Sequence, residues 1–297
     1  MNGSNKKRWS LFVIKFKETI MDKNSNVLIV DAMNLAFRWK HQGKTEFEDE
    51  YVRTVQSLAQ SYKCSNIIIA ADQGNSYYRK SICPEYKENR KERYENQTDE
   101  EKEEMEQFFQ EYERTLETLS EKFLVLRYKG VEADDLAAFV VKYRESLNIE
   151  DIWLISSDRD WDLLVNDNVS RFSTVTRKET TVHNWDEFFE FPQEEYISYK
   201  VLMGDKGDNI SGVPGIGPKR ATDLVNQYGS AFDIYDMLPL QGKYKYIQTL
   251  NENAELLLKN YMLMDLLSYC EEAITFPKHS IEEIETKIKE FLNEVEL

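Results

Sequence analysis

Little in this sequence suits thiol or imidazole chemistry. Three cysteines, Cys64, Cys83 and Cys270, stand far apart in 297 residues. An odd, scattered set offers neither a disulfide framework nor zinc spacing, and reads as reduced thiols in a cytoplasmic protein. The three histidines, His41, His183 and His279, are equally scattered, so surface or structural roles are expected for each. No apolar run is long enough to cross a bilayer, and no membrane partner is expected. Lys6-Lys7-Arg8 ahead of Leu11-Phe-Val-Ile14 has the outline of a secretory leader, but Lys15 and Lys17 cut its apolar core short. An EF-hand loop is missing too, which disfavours an acidic calcium buffer. Hydrophobic content of 41% and charged content of 31% fit a folded soluble chain with room for one large or two ordinary domains.

What the chain has in excess is acid. The 54 Asp and Glu against 38 Lys and Arg give a net charge of −16. Residues 95–121 hold eleven acids and two bases, a net of −9, whereas residues 77–94 hold six bases and three acids. More than half of the total therefore sits in one segment. Charges further apart than ~8 Å are largely screened at physiological salt, so a locally basic surface can bind phosphate on this acidic molecule. Net charge does not decide the partner.

The organising stretch is Gly130-Val-Glu-Ala-Asp-Asp135, which sets Glu132, Asp134 and Asp135 ahead of an apolar helix. Asp158 and Asp160 follow the run Asp151–Ser157, Asp205 and Asp208 lie within Met203–Ile210, and Asp31 and Asp72 each close a short apolar run. In so acidic a chain some clustering arises by chance, and acids usually face solvent. Placement argues otherwise: Asp31, Asp72 and Asp158 each follow a predicted buried strand, and ligands of open parallel sheets bind at the carboxyl ends of strands. Converged in a partly desolvated cleft, these carboxylates would repel one another severely without cations. Oxygen donors in that number suit hard divalent ions such as Mg²⁺. The pattern points to a two-metal site for phosphodiester hydrolysis.

Along the chain, residues 1–24 read as an amphipathic N-terminal extension. Val27–Ala32 and Asn66–Asp72 read as buried strands around a helix over 46–63, a parallel βαβ unit. The segment 76–121 interrupts this alternation with a basic, tyrosine-rich stretch and then Thr98-Asp-Glu-Glu101, a capping box. The stripe Met105, Phe108, Phe109, Tyr112, Leu116, Leu119 and Phe123 reads as core packing. On a helix, Tyr86 and Arg90 fall one turn apart with Lys87 beside them, offering two cations and a stacking ring to a single-stranded backbone. Phe123–Tyr128 and Ile152–Ser157 read as further strands, and Val169–Val175 with Thr180–His183 as a hairpin turning at 176–179. From about Phe191 the pattern is helical. Gly212–Arg220 ahead of a helix exposes backbone N–H groups, a phosphate cradle to which Lys219 and Arg220 add charge. Ile281, Ile284, Ile288, Phe291 and Val295 form a short seam expected to dock onto the body.

Four motifs together resemble the flap endonuclease (5′-nuclease, 5′-3′ exonuclease) family, most closely its bacteriophage members. They are Ile29-Val-Asp31 with Asn34, Glu85-Tyr-Lys-Glu-Asn-Arg90, Gly130–Asp135, and Gly204–Ile210 running into Gly212–Arg220. The resemblance runs from about Val27 to the C-terminus. It implies an α/β fold: a PIN-like parallel sheet flanked by helices over 25–190, a helical arch at about 76–121, and a helical region over 191–297 with a helix-hairpin-helix module. It implies metal ligation by Asp31, Asp72, Glu132, Asp134, Asp135, Asp158, Asp160, Asp205 and Asp208, and a catalytic group of Lys87, Arg90 and Tyr86. DNA contacts are implied at Gly215, Gly217, Lys219 and Arg220, with K⁺ held by backbone carbonyls of Val213 and Ile216. Two Mg²⁺ ions are the implied cofactors, with Mn²⁺ able to substitute. The expected activity is cleavage of DNA at 5′ flaps and ends, or on branched and nicked duplexes, in replication or repair. The expected setting is a monomer in the cytoplasm, that of the host if the chain is phage-encoded. A non-catalytic branched-DNA-binding protein and a PIN-type ribonuclease are the alternatives. One departure stands out: Arg159 lies between Asp158 and Asp160, where a smaller residue is common in relatives.

Overall fold

The computed structural model describes residues 26–294; the extension read over 1–24, and Val295 of the terminal seam, lie outside the described residues. Short apolar runs form a six-stranded sheet: β1 (Val27–Asp31), β2 (Asn66–Gln73), β3 (Leu124–Lys129), β4 (Ile152–Ile155), β5 (Val169–Phe172) and β6 (Glu179–Thr180). The order is β3-β2-β1-β4-β5-β6. All neighbours pair in parallel except β5 with β6, which is antiparallel. In the central register Ile29 lies between Ile68 and Leu154.

Continuous Val and Ile runs suit a sheet buried on both faces, and here both faces are covered. Along each strand alternate side chains pack on opposite sides. Val27, Ile29, Ile68, Ala70, Leu124 and Leu126 join one apolar cluster; Leu28, Val30, Ile67, Ile69, Ala71 and Ile155 join the other. The second face is covered by α1 (Ala32–Lys40), α2 (Glu48–Ser61) and the later turns of α5 (Asp99–Ser120). Between these lie α3 (Tyr77–Ile82) and α4 (Glu88–Glu95). The first face is covered by α6 (Ala133–Lys142) and by the helices after residue 195. Those are α7 (Tyr196–Met203), α8 (Pro218–Tyr228), α9 (Ala231–Asp236), α10 (Lys245–Glu252), α11 (Ala254–Met264), α12 (Leu266–Thr275) and α13 (Ile281–Glu294). A two-stranded ribbon, β7 (Gly204–Asp205) with β8 (Ile210–Ser211), lies between α7 and α8.

Several expectations change in detail. Phe109 is exposed although its stripe neighbours Phe108, Tyr112, Leu116 and Leu119 are core. From Phe108 onward α5 belongs to the packed body: Phe108 lies 4.9 Å from the ring of Phe37 on α1. The hairpin after β5 is shorter than read. Asn184 accepts the Thr181 N–H at 2.8 Å, closing a 3-10 turn over Val182–Glu187 where strand was expected. The capping box at Thr98 and Glu101 is formed on α5. Ile284 and Ile288 of the terminal seam are fully buried against the body.

Candidate active site

The strand order reverses between β1 and β4, which opens a crevice at their carboxyl ends. Asp31 ends β1 there. Its carboxylate caps α1 by accepting the Asn34 N–H at 3.1 Å and accepts Ser156 Oγ–H at 2.7 Å. Burial pushes the Asp31 carboxyl up to about 7; the Ser156 hydrogen bond opposes this, and repulsion from Asp72 and Asp158 adds to it. Asp72, near the end of β2, accepts the Ala133 N–H at 2.7 Å and so fixes the start of α6. Burial, with Glu132 nearby, raises it above the ordinary carboxylate range.

The first turn of α6 supplies Asp134, which accepts Trp161 Nε1–H at 2.6 Å. Burial and the neighbouring Asp158 hold Asp134 well above the usual range. Asp158 caps the turn Arg159–Leu164 by accepting the Asp160 N–H at 2.9 Å. Asp160 is hydrogen-bonded by Lys200 of α7, and burial still pushes it up to about 6 against that lysine. Lys200 also reaches Asp205 at 3.3 Å. Asp205 closes its own loop, accepting the N–H groups of Gly207 at 2.7 Å and Asp208 at 3.2 Å.

On the other side of the crevice, Glu132 accepts Lys87 Nζ at 2.7 Å and Tyr86 OH at 2.8 Å. Burial alone would raise Glu132, but Lys87 and Arg79 outweigh it and hold its carboxyl below the ordinary value. Asp208 accepts Arg90 Nη2 at 2.6 Å and lies 2.9 Å from Tyr86 OH, whose single proton it shares with Glu132. The Lys87 N–H donates to the Asp208 carbonyl at 2.9 Å. Lys87 sits in the left-handed region (φ 57°) just ahead of α4, a costly conformation for a residue with a Cβ.

Eight of the nine expected acids are thus joined to one another by hydrogen bonds, shared cations or mutual repulsion around the carboxyl ends of the strands, and the ninth stands apart. Asp135 is wholly buried with both oxygens taken by Arg79 at 2.7 Å, so the crevice does not receive it. Tyr86 also departs from expectation. It precedes α4 rather than lying on it and is 1% exposed, so its ring cannot stack on a base. Its hydroxyl instead joins Glu132 to Asp208. Among the described residues no three His, Cys, Asp or Glu side chains stand in a geometry that would hold a metal ion. Ammonium, guanidinium and indole groups occupy the carboxylates. The donors nevertheless fit hard cations: every candidate ligand is an oxygen, and burial together with neighbouring acids holds Asp31, Asp134 and Asp160 toward their neutral forms, a bias that a bound cation would oppose.

Beyond β8, the loop Gly212–Gly217 joins the ribbon to α8. A Cβ on Gly212 would stand 2.1 Å from the Met203 carbonyl oxygen, so the close approach requires glycine. Gly215 adopts φ +85°. Val213 and Ile216 are buried, and the Val213 carbonyl already accepts the Ile216 N–H at 3.0 Å. Arg220 donates to the Gly215 carbonyl and lies 4.5 Å over the Tyr246 ring. It therefore braces the hairpin, whereas Lys219 is exposed. Arg79, Lys200 and Trp161 escaped the sequence reading, because each meets its acid across a long separation with no local pattern to mark it.

Residues 26–191 match the family described as 5′-3′ exonuclease, N-terminal resolvase-like domain, and residues 191–287 match 5′-3′ exonuclease, C-terminal SAM fold. The chain belongs to the 5′-3′ exonuclease family. Among relatives, the flap endonuclease of Escherichia phage T5 is 46% identical over 270 residues, covering 90% of this chain and 92% of that protein. The 5′-3′ exonuclease of Mycoplasma pneumoniae is 30% identical over 228 residues, 71% of this chain and 75% of its own. The bacteriophage T5 flap endonuclease, solved as a pseudo-enzyme–product complex with DNA and metal ions, superposes with a TM-score of 0.87 at 44% identity. That match covers 90% of this chain and 99% of the other. The T5 5′-exonuclease with zinc bound gives 0.86 at the same identity and coverage. As a member, this 5′-3′ exonuclease is a metal-dependent, structure-specific 5′-nuclease acting on DNA. The sheet flanked by helices, with C-terminal helices resembling a helix-hairpin-helix module, is the fold of the T5 enzyme. Among the described residues no helix is long and apolar enough to cross a membrane.

Proposed function

We propose that this enzyme cuts DNA at 5′ flaps and ends, in replication or repair, with two Mg²⁺ ions in the β1/β4 crevice. The observation that carries the reading is the gathering of Asp31, Asp72, Glu132, Asp134, Asp158, Asp160, Asp205 and Asp208 into one network of neighbouring carboxylates at the carboxyl ends of the strands. Glu132, Asp134, Asp158 and Asp160 would hold the ions, with Asp31, Asp72, Asp205 and Asp208 ligating directly or orienting coordinated waters. When bound, such ions make hydroxide available at neutral pH and neutralise charge on the phosphate oxygens. All-oxygen donors suit Mg²⁺ and admit Mn²⁺.

The protein's own groups do the rest. Ser156 and Asn34 orient Asp31, Trp161 orients Asp134, and Tyr86 holds Glu132 against Asp208. Although burial disfavours its charge, Lys87 is kept protonated by Glu132 and Asp208. Were the acids engaged by cations, Lys87 and Arg90 would be free to take the oxygens of the scissile phosphate and to stabilise the charge that grows on them. Lys200, paired with Asp160 and Asp205, would be released in the same way. At the hairpin, Gly215, Gly217 and Lys219 would meet duplex phosphates while Arg220 keeps the loop in shape. A K⁺ ion there would rest on the carbonyls of Val213 and Ile216. The test is an end-labelled 5′-flap duplex incubated with and without Mg²⁺, with the cut mapped. Cleavage near the branch only with Mg²⁺ is expected. Absence of cleavage would leave a DNA-binding protein, and faster cutting of single-stranded RNA would favour the ribonuclease reading.

A further inference from the structure

Arg159 is placed between two candidate ligands yet is spent on neither. Its side chain is 61% exposed, and among the described residues its one ion pair is a long one, 3.8 Å to Asp162. Asp162 is already satisfied: it is 1% exposed and gripped by Arg171 at 2.5 and 3.0 Å. Among the described residues, the Arg159 guanidinium donates no short hydrogen bond to protein. It lies with Cζ 4.9 Å from the centre of the Phe189 ring, and its backbone is pinned by Tyr196 OH, which donates to the Arg159 carbonyl at 3.2 Å. A fork of N–H donors is thus held over an aromatic face, and among the described residues it pairs with Asp162 alone, at 3.8 Å.

The same residue lines a groove of about 620 Å³ that runs to the start of α8. Phe188, Phe189, Phe191 and Tyr199 supply its aromatic lining, and Pro218 and Lys219 line it from the start of α8; Glu190 and Asp223 are its acids. Arginine suits this setting: its planar fork matches phosphate oxygens two at a time, and stacking restricts the side chain before a ligand arrives. Lys219 is the second cation lining the groove and is exposed.

We infer that this groove is a phosphodiester subsite, in which Arg159 clamps a backbone phosphate flanking the scissile one and Lys219 receives the strand further along. The inference rests on the crevice beside Arg159 being the reaction centre. It makes Arg159 a substrate-binding residue that sets affinity and register, distinct from the metal ligands on either side.

The experiment measures binding of the 5′-flap duplex to the full chain by fluorescence anisotropy without divalent ions, from 50 to 300 mM KCl. Steady-state cleavage in Mg²⁺ is followed in parallel. Each phosphate contact contributes a slope of about 0.9 in log affinity against log salt. Arg159→Ala should lower that slope by about one and weaken binding several-fold, raising KM more than it lowers kcat. Arg159→Lys should restore the slope without the full affinity, because it keeps the charge and loses the fork. Phe189→Leu should keep the slope and weaken binding. A thermal melt on each variant separates misfolding from lost contacts. If Arg159→Ala leaves both slope and affinity as in the parent, the subsite is wrong. If the parent protein binds the duplex but never cuts it, the nuclease reading fails instead, whatever Arg159 does to the salt slope.

Discussion

Arg79 is wholly buried, and its partners come from distant parts of the chain: Asp135, Glu132 and the Leu263 carbonyl at 2.8 Å. Removing one member of a buried ion pair leaves a charge without compensation, at a cost of roughly 3–5 kcal/mol. Arg79→Met should therefore lower unfolding free energy by about that much in urea titration. The double change Arg79→Met with Asp135→Leu should recover most of the loss; no recovery would mean that Arg79 acts chiefly through Leu263 and Glu132. Lys87 is proposed for the chemistry instead. Lys87→Ala should reduce single-turnover cleavage by ~10²–10³ with a much smaller change in duplex affinity, and equal losses in both would make it a docking residue. At this scale the sequence was readable where an acid follows an apolar run, as at Asp31, Asp72 and Asp158. It was unreadable where a side chain is committed across the fold. Nothing near Asp135 distinguishes it from Asp134, yet Arg79 takes one and Trp161 the other. Nor does the local sequence tell that Tyr86 is interred beneath the crevice.

Helix α2 begins at Glu48 with no side-chain cap of its own. Glu111 on α5 supplies one, accepting the N–H groups of Phe47 at 2.9 Å and Glu48 at 3.2 Å from 63 and 64 residues away. Orphaned N–H groups at a buried helix start are expensive, and a lost cap costs about 1–2 kcal/mol. Glu111→Ala should depress the melting temperature by several degrees, whereas Glu111→Gln, which keeps an acceptor oxygen, should depress it less. Identical shifts would show that the oxygen is not what matters. Strands and long helices were legible because burial on both faces imposes an uninterrupted Val and Ile run, and burial on one face imposes helical spacing. The short ladder after β5 was not, because Thr and Val favour strand while Asn184 captures a backbone N–H and bends the chain away.

Over the whole molecule, the crevice concentrates like charge on a protein already at −16. Burial carries Asp31 from an ordinary 3.8 up to about 7, and Asp160 up to about 6. For a carboxyl raised on folding, the unfolded chain loses its proton first. The stabilisation is therefore present below about pH 4 and lost as pH climbs through the folded values. Without divalent ions, stability should fall between about pH 4 and 7 on account of these groups. Ions that bind only the folded carboxylates restore it by mass action. The rise in melting temperature on adding Mg²⁺ should accordingly be larger at pH 7.5 than at pH 5, measured by scanning calorimetry; equal rises would mean that the ions bind elsewhere.

The hydrogen bond from Arg79 to the Leu263 carbonyl has a bearing on ancestry and engineering. The two family-described segments meet at residue 191, which invites treating them as interchangeable cassettes. Yet one apolar cluster runs from Val27 of the first strand to Ile288 near the other end, and a guanidinium beneath the acids is held by the second segment's backbone. Grafting the tail of a cousin onto this front half would disturb the footing of Glu132 and Asp135, so the two pieces are best inherited, or redesigned, as a matched pair.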